Sequence, residues 1–270
     1  MKLFHYTDVS AVQSILRNRK LWLTDLRFMN DSTELLHGIE FLQAALKQQP
    51  YGLFYDRRYA EEAVEYLASS LSEYEDAARL EDPVFAMSFS EKDDLLSQWR
   101  GYGGYSVCFN REYLQDCDLK LSSCVYTKAS KLERALRATS EAGAKVSECM
   151  GRNGGCLDLE SIDQLVALVE LAATFKDAGF EEEREVRMIV RPDTSEIKYR
   201  PRNGMLVPYV EIEIPAEAIE GVHVGPVREQ ALSTVSMKVF MNSIESINRS
   251  NGGDVEWCVP VERSTTPYRS

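Results

Sequence analysis

Several things this sequence has little of narrow it before anything it contains. Its 270 residues hold three histidines, His5, His37 and His223, and six cysteines, Cys108, Cys117, Cys124, Cys149, Cys156 and Cys258. No C-x-x-C pair or short His/Cys cluster occurs among them, and structural zinc sites need such clusters, so no metal is expected. No apolar run approaches the ~20 residues that span a bilayer. The opening MKLFHYTDVS also lacks the apolar core of an export signal. The expectation is a cytoplasmic protein with reduced thiols and no membrane partner. Positive charge is scarce as well: 31 basic against 43 acidic side chains give a formal net charge of −12. That disfavours broad binding to a phosphate backbone, although a local basic groove survives such an average. Missing too are a nucleophile elbow, a lysine-bearing phosphate loop and a dinucleotide-binding glycine fingerprint. No internal repeat or Pro/Ser-rich linker divides the chain.

What remains is ordinary globular material, 44% hydrophobic and 27% charged, long enough to bury a sizeable core. LFHYT (3–7) alternates as a strand, and Asp8 is placed to cap a helix that presents Val9, Val12, Ile15 and Leu16 on one face. Strands are expected at 20–24, 84–90, 105–110, 119–127, 185–190, 205–214, 222–226 and 255–262. Helices are expected over 32–48, 56–80, 91–102, 129–149, 158–177 and 228–245, with a break at Pro50–Gly52. Strands and helices interleave without the regular strand–helix repeat of a doubly wound sheet. The reading is one α+β domain over 1–270, carrying helical insertions near 32–80 and 129–177.

One stretch is chemically unusual. FEEEREVRMIV (180–190) leads three glutamates into a strand, although acidic residues are poor strand formers. A period of two puts Val186, Met188 and Val190 on one face and Glu183, Glu185 and Arg187 on the other, neighbours lying roughly 7 Å apart. Such a row either pairs with itself on an exposed face or lines a site for a cationic, hydroxyl-rich ligand. The other candidates have plainer readings. Asp31 and Glu34 in NDSTE suit a helix capping box. Trp99 and Tyr102, three apart on a helix, suit core packing. His5 suits a structural strand position, and GYGG (101–104) lacks a phosphate loop's lysine.

Taken in order, three blocks resemble one family. FHYTDVSAVQSILRNRKLWLTDLRFMNDSTEL, SFSEKDDLLSQWRGYGGYSVCFN and FEEEREVRMIV are similar to the bacterial domain-of-unknown-function family twenty-nine seventy-one. That family carries an aromatic–x–Tyr–Thr strand, a Ser–Phe–Ser block with a following Trp, and a Glu–x–Glu–x–Arg strand. Ser32 stands where the family usually has proline, and Arg100 and Gly101 replace its small polar residue and histidine. The family in turn resembles a divergent ADP-ribosyltransferase, which implies a split β-sheet core with added helices.

The resemblance further implies NAD as substrate. His5, assisted by Tyr6 and Thr7, would donate to ribose hydroxyls, and Ser88, Trp99 and Tyr102 would complete the nicotinamide pocket. Glu185 would take the ribose 2′-hydroxyl and steady charge developing at the anomeric carbon. Glu183 would orient the acceptor, and Arg187 would hold Glu185 ionised or meet a pyrophosphate. The partners implied are NAD, a protein or nucleic-acid acceptor and, for a toxin or phage-defence effector acting in its own cell, a neutralising partner. NAD hydrolysis, an RNA 2′-phosphotransferase activity, which would want basic residues facing the cleft, and a non-catalytic binding protein stand as alternatives.

Overall fold

A computed structural model describes residues 1–29, 32–48, 56–74, 83–116, 119–250 and 258–267. In chain order these form β1 (Lys2–Thr7), α1 (Val9–Asn18), β2 (Lys20–Asp25), α2 (Ser32–Gln48), α3 (Ala60–Glu73), β3 (Phe85–Ser90), α4 (Leu96–Tyr102), β4 (Tyr105–Asn110) and α5 (Arg111–Asp116). They continue as β5 (Lys120–Ser123), α6 (Lys128–Arg152), α7 (Leu159–Ala172), β6 (Glu185–Val190), β7 (Lys198–Arg202), β8 (Met205–Glu213), β9 (Ile219–Val224), α8 (Gln230–Ser250) and β10 (Val261–Arg263). The Pro50–Gly52 break, the Asp31 end of the capping box, the stretch 75–80 and the start of the expected last strand lie outside the described residues. Among the described residues no helix is long and apolar enough to cross a membrane.

Local chemistry accounts for the elements that matter below. The Asp8 carboxylate accepts from the Ala11 N–H at 2.9 Å and starts α1, whose Val12, Ile15 and Leu16 are buried, while Val9, expected on the same face, lies exposed in the first turn. In α7, Asp158 and Ser161 exchange side-chain and backbone hydrogen bonds as a capping box. Beyond α7 the structure departs from the sequence reading, which runs that helix to 177. It ends at Ala172, and the chain crosses beside Val125, whose N–H donates to the Thr174 carbonyl and whose carbonyl accepts from the Lys176 N–H.

The described strands belong to one mostly antiparallel sheet, ordered β10–β9–β4–β1–β3–β2–β8–β7, with β6 on β3 and β5 on β6; among them only β10 and β9 run parallel. Along its whole length β3 pairs with β6, from Phe85↔Val190 to Ser90↔Glu185. A strand has two hydrogen-bonding edges, so β1 and β2 must share the other one. They do so at opposite ends: β1 meets it at Phe4↔Ser90, and β2 at Thr24↔Ala86 and Asp25↔Phe85. Between those contacts, along Met87–Phe89, the sheet is split.

Each face of the sheet is covered differently. On one, α1 and α8 pack over Leu3, Leu23, Phe89, Phe109 and Val186, all at most 2% exposed. On the other, α2, α3, α6 and α7 bury Leu42, Leu67, Ala135, Val146, Val169 and Phe175 together. The helices near 32–80 and 129–177, which the sequence suggests as separate insertions, thus form one layer.

Candidate functional site

The split opens into a cleft of about 630 Å³, within the range of small-molecule sites. Its wall brings together His5, Tyr6 and Thr7 of β1, Ser88 of β3, Tyr102 of α4, and Glu183 and Glu185 at the entry to β6. Strand alternation alone would set His5 and Glu185 on opposite faces of the sheet. His5 pairs with Val107 beside Leu3, whereas Glu185 pairs with Ser90 beside Phe4. Both border the same hollow because the sheet is open between β1 and β2.

His5 is fixed in the gap: its Nδ1 lies 2.9 Å from the Ser88 carbonyl oxygen. A carbonyl only accepts, so Nδ1 carries the hydrogen. Burial lowers the His5 pKa, outweighing the Ser88 carbonyl and the Asp8 charge, which raise it. The ring is neutral at neutral pH, and its remaining nitrogen, Nε2, offers a lone pair. Nε2 can accept a hydrogen bond from the cleft, whereas the hydrogen that His5 could donate is already engaged by the Ser88 carbonyl.

Tyr102 reaches the cleft through the glycine that follows it. Gly103 has φ +136°, and a Cβ there would fall 2.4 Å from the Thr7 carbonyl oxygen. Only glycine lets the end of α4 close on β1 in this way. Trp99 lies elsewhere. It is 6% exposed, its ring sits 4.6 Å from that of Tyr6, and its Nε1 donates to Asp94 at 2.8 Å. Asp94 also accepts from the hydroxyls of Ser264, Thr265 and Thr266. These bonds hold its carboxyl below the ordinary range against the upward push of burial. Trp99 supports α4 from behind and does not line the hollow, so the place at the nicotinamide suggested for it by the resemblance is not where it sits.

At the β6 end the structure supplies partners for the glutamate run. Glu183 is not a strand residue. It closes the short turn Ala178–Glu183, and Arg184, at φ 42°, turns the chain into β6. Lys176 then bridges both acids, its Nζ 2.6 Å from Glu183 and 2.5 Å from Glu185. Arg187 donates to Glu185 at 2.6 Å through Nε, to Glu34 at 2.7 Å and to the Ala173 carbonyl at 2.6 Å. Lys176 also stands 3.9 Å from Glu34. Lys176 and Arg187 are thus shared among Glu34, Glu183 and Glu185, and of the three acids Glu183 and Glu185 line the cleft.

These contacts decide the chemistry. Burial pushes the Glu185 carboxyl up, but Arg187 and Lys176 outweigh it and hold the pKa at about 2. Burial opposes the charge on Lys176 and on Arg187, and the surrounding carboxylates override it, so both titrate higher than usual. Glu185 is a fixed anion near neutral pH, suited to stabilising a developing positive charge and not to carrying a proton. Arg187, 3% exposed, stays behind Glu185 outside the cleft lining. Its contact with Glu185 favours the carboxylate form.

Lys176 and Glu34 are site residues that sequence reasoning missed. Lys176 was placed inside a helix, and the capping box accounted for Glu34. The one legible signal was arithmetic: a run of buried acids demands cations. The other two histidines stand apart, His37 3.7 Å from Glu40 and His223 3.6 Å from Glu262. Away from the cleft, Cys149, Asp158 and Glu160 bring ligand atoms within 4.8 Å of one another, but Arg152 already donates to Glu160 and Cys149. Cys108, Cys124, Cys149 and Cys156 are free thiols, and burial raises the pKa of Cys124, beside the cluster, to about 12. Comparison with protein-family models, with curated proteins and with solved structures brings no match for this chain, so the site is read from its own geometry.

Proposed function

We propose that this chain is an NAD-consuming ADP-ribosyltransferase on an ADP-ribosyltransferase-like split sheet. The observation that carries the reading is the single cleft lined by His5, Tyr102 and Glu185, residues remote in sequence and joined only by the gap between β1 and β2. The nicotinamide ring rests against Tyr102, and His5 Nε2 accepts from a ribose hydroxyl. Glu185, held anionic by Lys176 and Arg187, accepts from the 2′-hydroxyl. As the C1′–N bond of the nicotinamide riboside breaks, its electron pair leaves with nicotinamide, which departs neutral. The positive charge left on the ribosyl carbon faces the Glu185 carboxylate, an interaction stronger in the transition state than in the ground state. An acceptor nucleophile, positioned by Glu183, bonds to C1′ and gives its proton to that carboxylate or to solvent. The acceptor is an intracellular protein or nucleic acid, consistent with a toxin or phage-defence effector whose host requires a neutralising partner.

The experiment measures nicotinamide released from NAD by wild type and by Glu185→Gln, which keeps the shape and removes the charge. We expect release to fall by at least about 100-fold. Equal rates, or none above buffer for the wild type together with no thermal shift by NAD, reject the reading in favour of a non-catalytic binding protein. Labelled NAD added to cell lysate separates transfer from hydrolysis, since only transfer leaves label on a macromolecule.

A further inference from the structure

The cleft has a second charged end, formed by a strand the sequence reading did not contain. The chain 198–206 folds back on itself through Asn203 and Gly204, at φ 49° and 77°, as β7 and β8. This hairpin carries Arg200 and Arg202 to the cleft wall beside Trp22 and Thr24 of β2. Arg200 is held flat. Its guanidinium carbon lies 5.3 Å from the centre of the Trp22 ring and 5.6 Å from that of Tyr209, and its Nη2 donates to the Thr24 hydroxyl at 2.9 Å.

What it lacks is an anion. The buried Nε has no hydrogen-bond partner, and Arg200 makes no ion pair among the described residues. That is unusual in a chain with 43 acidic side chains to 31 basic ones. Lys20, a further cation on this wall beside Arg200 and Arg202, is already taken by Glu211 and Glu213 at 3.2 and 3.4 Å. Burial and the neighbouring Arg202 charge both disfavour the protonated guanidinium. A buried donor left unmade and two like charges side by side each cost free energy, and one bound oxyanion removes both penalties. A guanidinium already fixed by stacking loses little freedom when it binds, and its fork matches phosphoryl oxygens.

We propose that Arg200, presented by the β7–β8 hairpin, is an anion-binding residue that takes the diphosphate of a nucleotide lying along the cleft. In sheet order β6 and β7 are four strands apart, through β3, β2 and β8, or roughly 19 Å at ordinary strand spacing. The cleft therefore has an acidic end at Glu183 and Glu185 and a cationic end at Arg200. Only a ligand with a developing cation at one end and phosphates at the other satisfies both. The diphosphate assignment stands on Arg200 alone, whereas its orientation toward Glu185 rests on the proposed function.

The test is isothermal titration of wild type, Arg200→Gln and Arg200→Lys with ADP-ribose, adenosine and a 2′-phosphorylated oligoribonucleotide. Wild type is expected to bind ADP-ribose at least tenfold more tightly than Arg200→Gln, with Arg200→Lys between them and adenosine indifferent to the change. Wild-type affinity for ADP-ribose should also fall with added NaCl while that for adenosine does not, a readout needing no variant to fold. Equal binding of ADP-ribose by wild type and Arg200→Gln, or no salt dependence, overturns the proposal. A loss confined to a 2′-phosphorylated oligoribonucleotide, with ADP-ribose unaffected, overturns the dinucleotide as occupant. Arg200-dependent binding of ADP-ribose by a protein that releases no nicotinamide supports the subsite and rejects the transferase reading.

Discussion

On the side of the sheet covered by α1 and α8, Leu3, Leu23, Phe89 and Val186 meet the apolar faces of the two helices. On the side covered by α2, α3, α6 and α7, an equally apolar layer gives way near β6 to Glu34, Lys176, Glu183, Glu185 and Arg187. The first side gains stability in proportion to the apolar area it removes from water. The second must first meet the desolvation of several charges, and pairing returns that cost only when geometry is good and every remaining lone pair is satisfied. A chain needing stability alone gains little from such an arrangement. The contrast marks the charged side as the place where the fold serves something other than itself.

The largest effect expected from disturbing the contrast is at Lys176. Lys176→Met leaves two buried carboxylates without their shared cation, and urea denaturation should show a loss of about 3–5 kcal/mol. Adding Glu183→Leu to the same protein should restore at least half of it, because the uncompensated charge and not the lost volume does the damage. If the double variant is no more stable than the single one, the cluster is not electrostatically coupled.

Next in size is the response to acid. The pKa of Glu185 is depressed from 4.5 to about 2 in the folded state. Its contribution is therefore complete above the unfolded value and lost as pH falls through the folded one. About 3 kcal/mol should disappear between pH 5 and pH 2 at roughly 1.4 kcal/mol per pKa unit, and Glu185→Gln should flatten that part of the curve. Leu23→Ala, on the apolar side, should lower stability by a similar amount at every pH. A pH-dependent penalty there would mean the two sides are not distinct.

The smallest change tests where the cleft ends. Trp99→Phe removes the hydrogen bond to Asp94 and should cost about 1 kcal/mol while leaving the KM for NAD, the substrate proposed above, within about twofold. Tyr102→Ala, on the lining, should raise that KM about tenfold, as expected for about 1.4 kcal/mol of lost contact. Equal effects from the two would redraw the boundary.

Much of this layout was legible in the residues themselves. Alternation over 185–190 separates Val186 and Met188 from Glu185 and Arg187, and the structure keeps that separation. Asp8 and the spacing of Val12, Ile15 and Leu16 define α1. Other features follow from contacts between segments remote in sequence. Helix periodicity carries the reading through Lys176, but tertiary pairing with Val125 ends α7 early and turns the lysine inward. Glu34 has a complete local explanation at a helix start and still reaches Arg187, 153 positions away. The strand at 198–202 was hidden by Pro201, a poor strand residue, although Asn203–Gly204 is the turn signal that could have revealed it.

The gap between β1 and β2 has one more consequence. Unpaired strand margins at the outside of a sheet invite further chains to add on, and proteins go to some length to blunt them. Here the bare margin lies in the middle of the sheet, walled by its own neighbours and stoppered by an imidazole on the Ser88 carbonyl. The sheet thus keeps its interrupted pairing inside its own walls, where the Ser88 carbonyl is met by a side chain of the same fold.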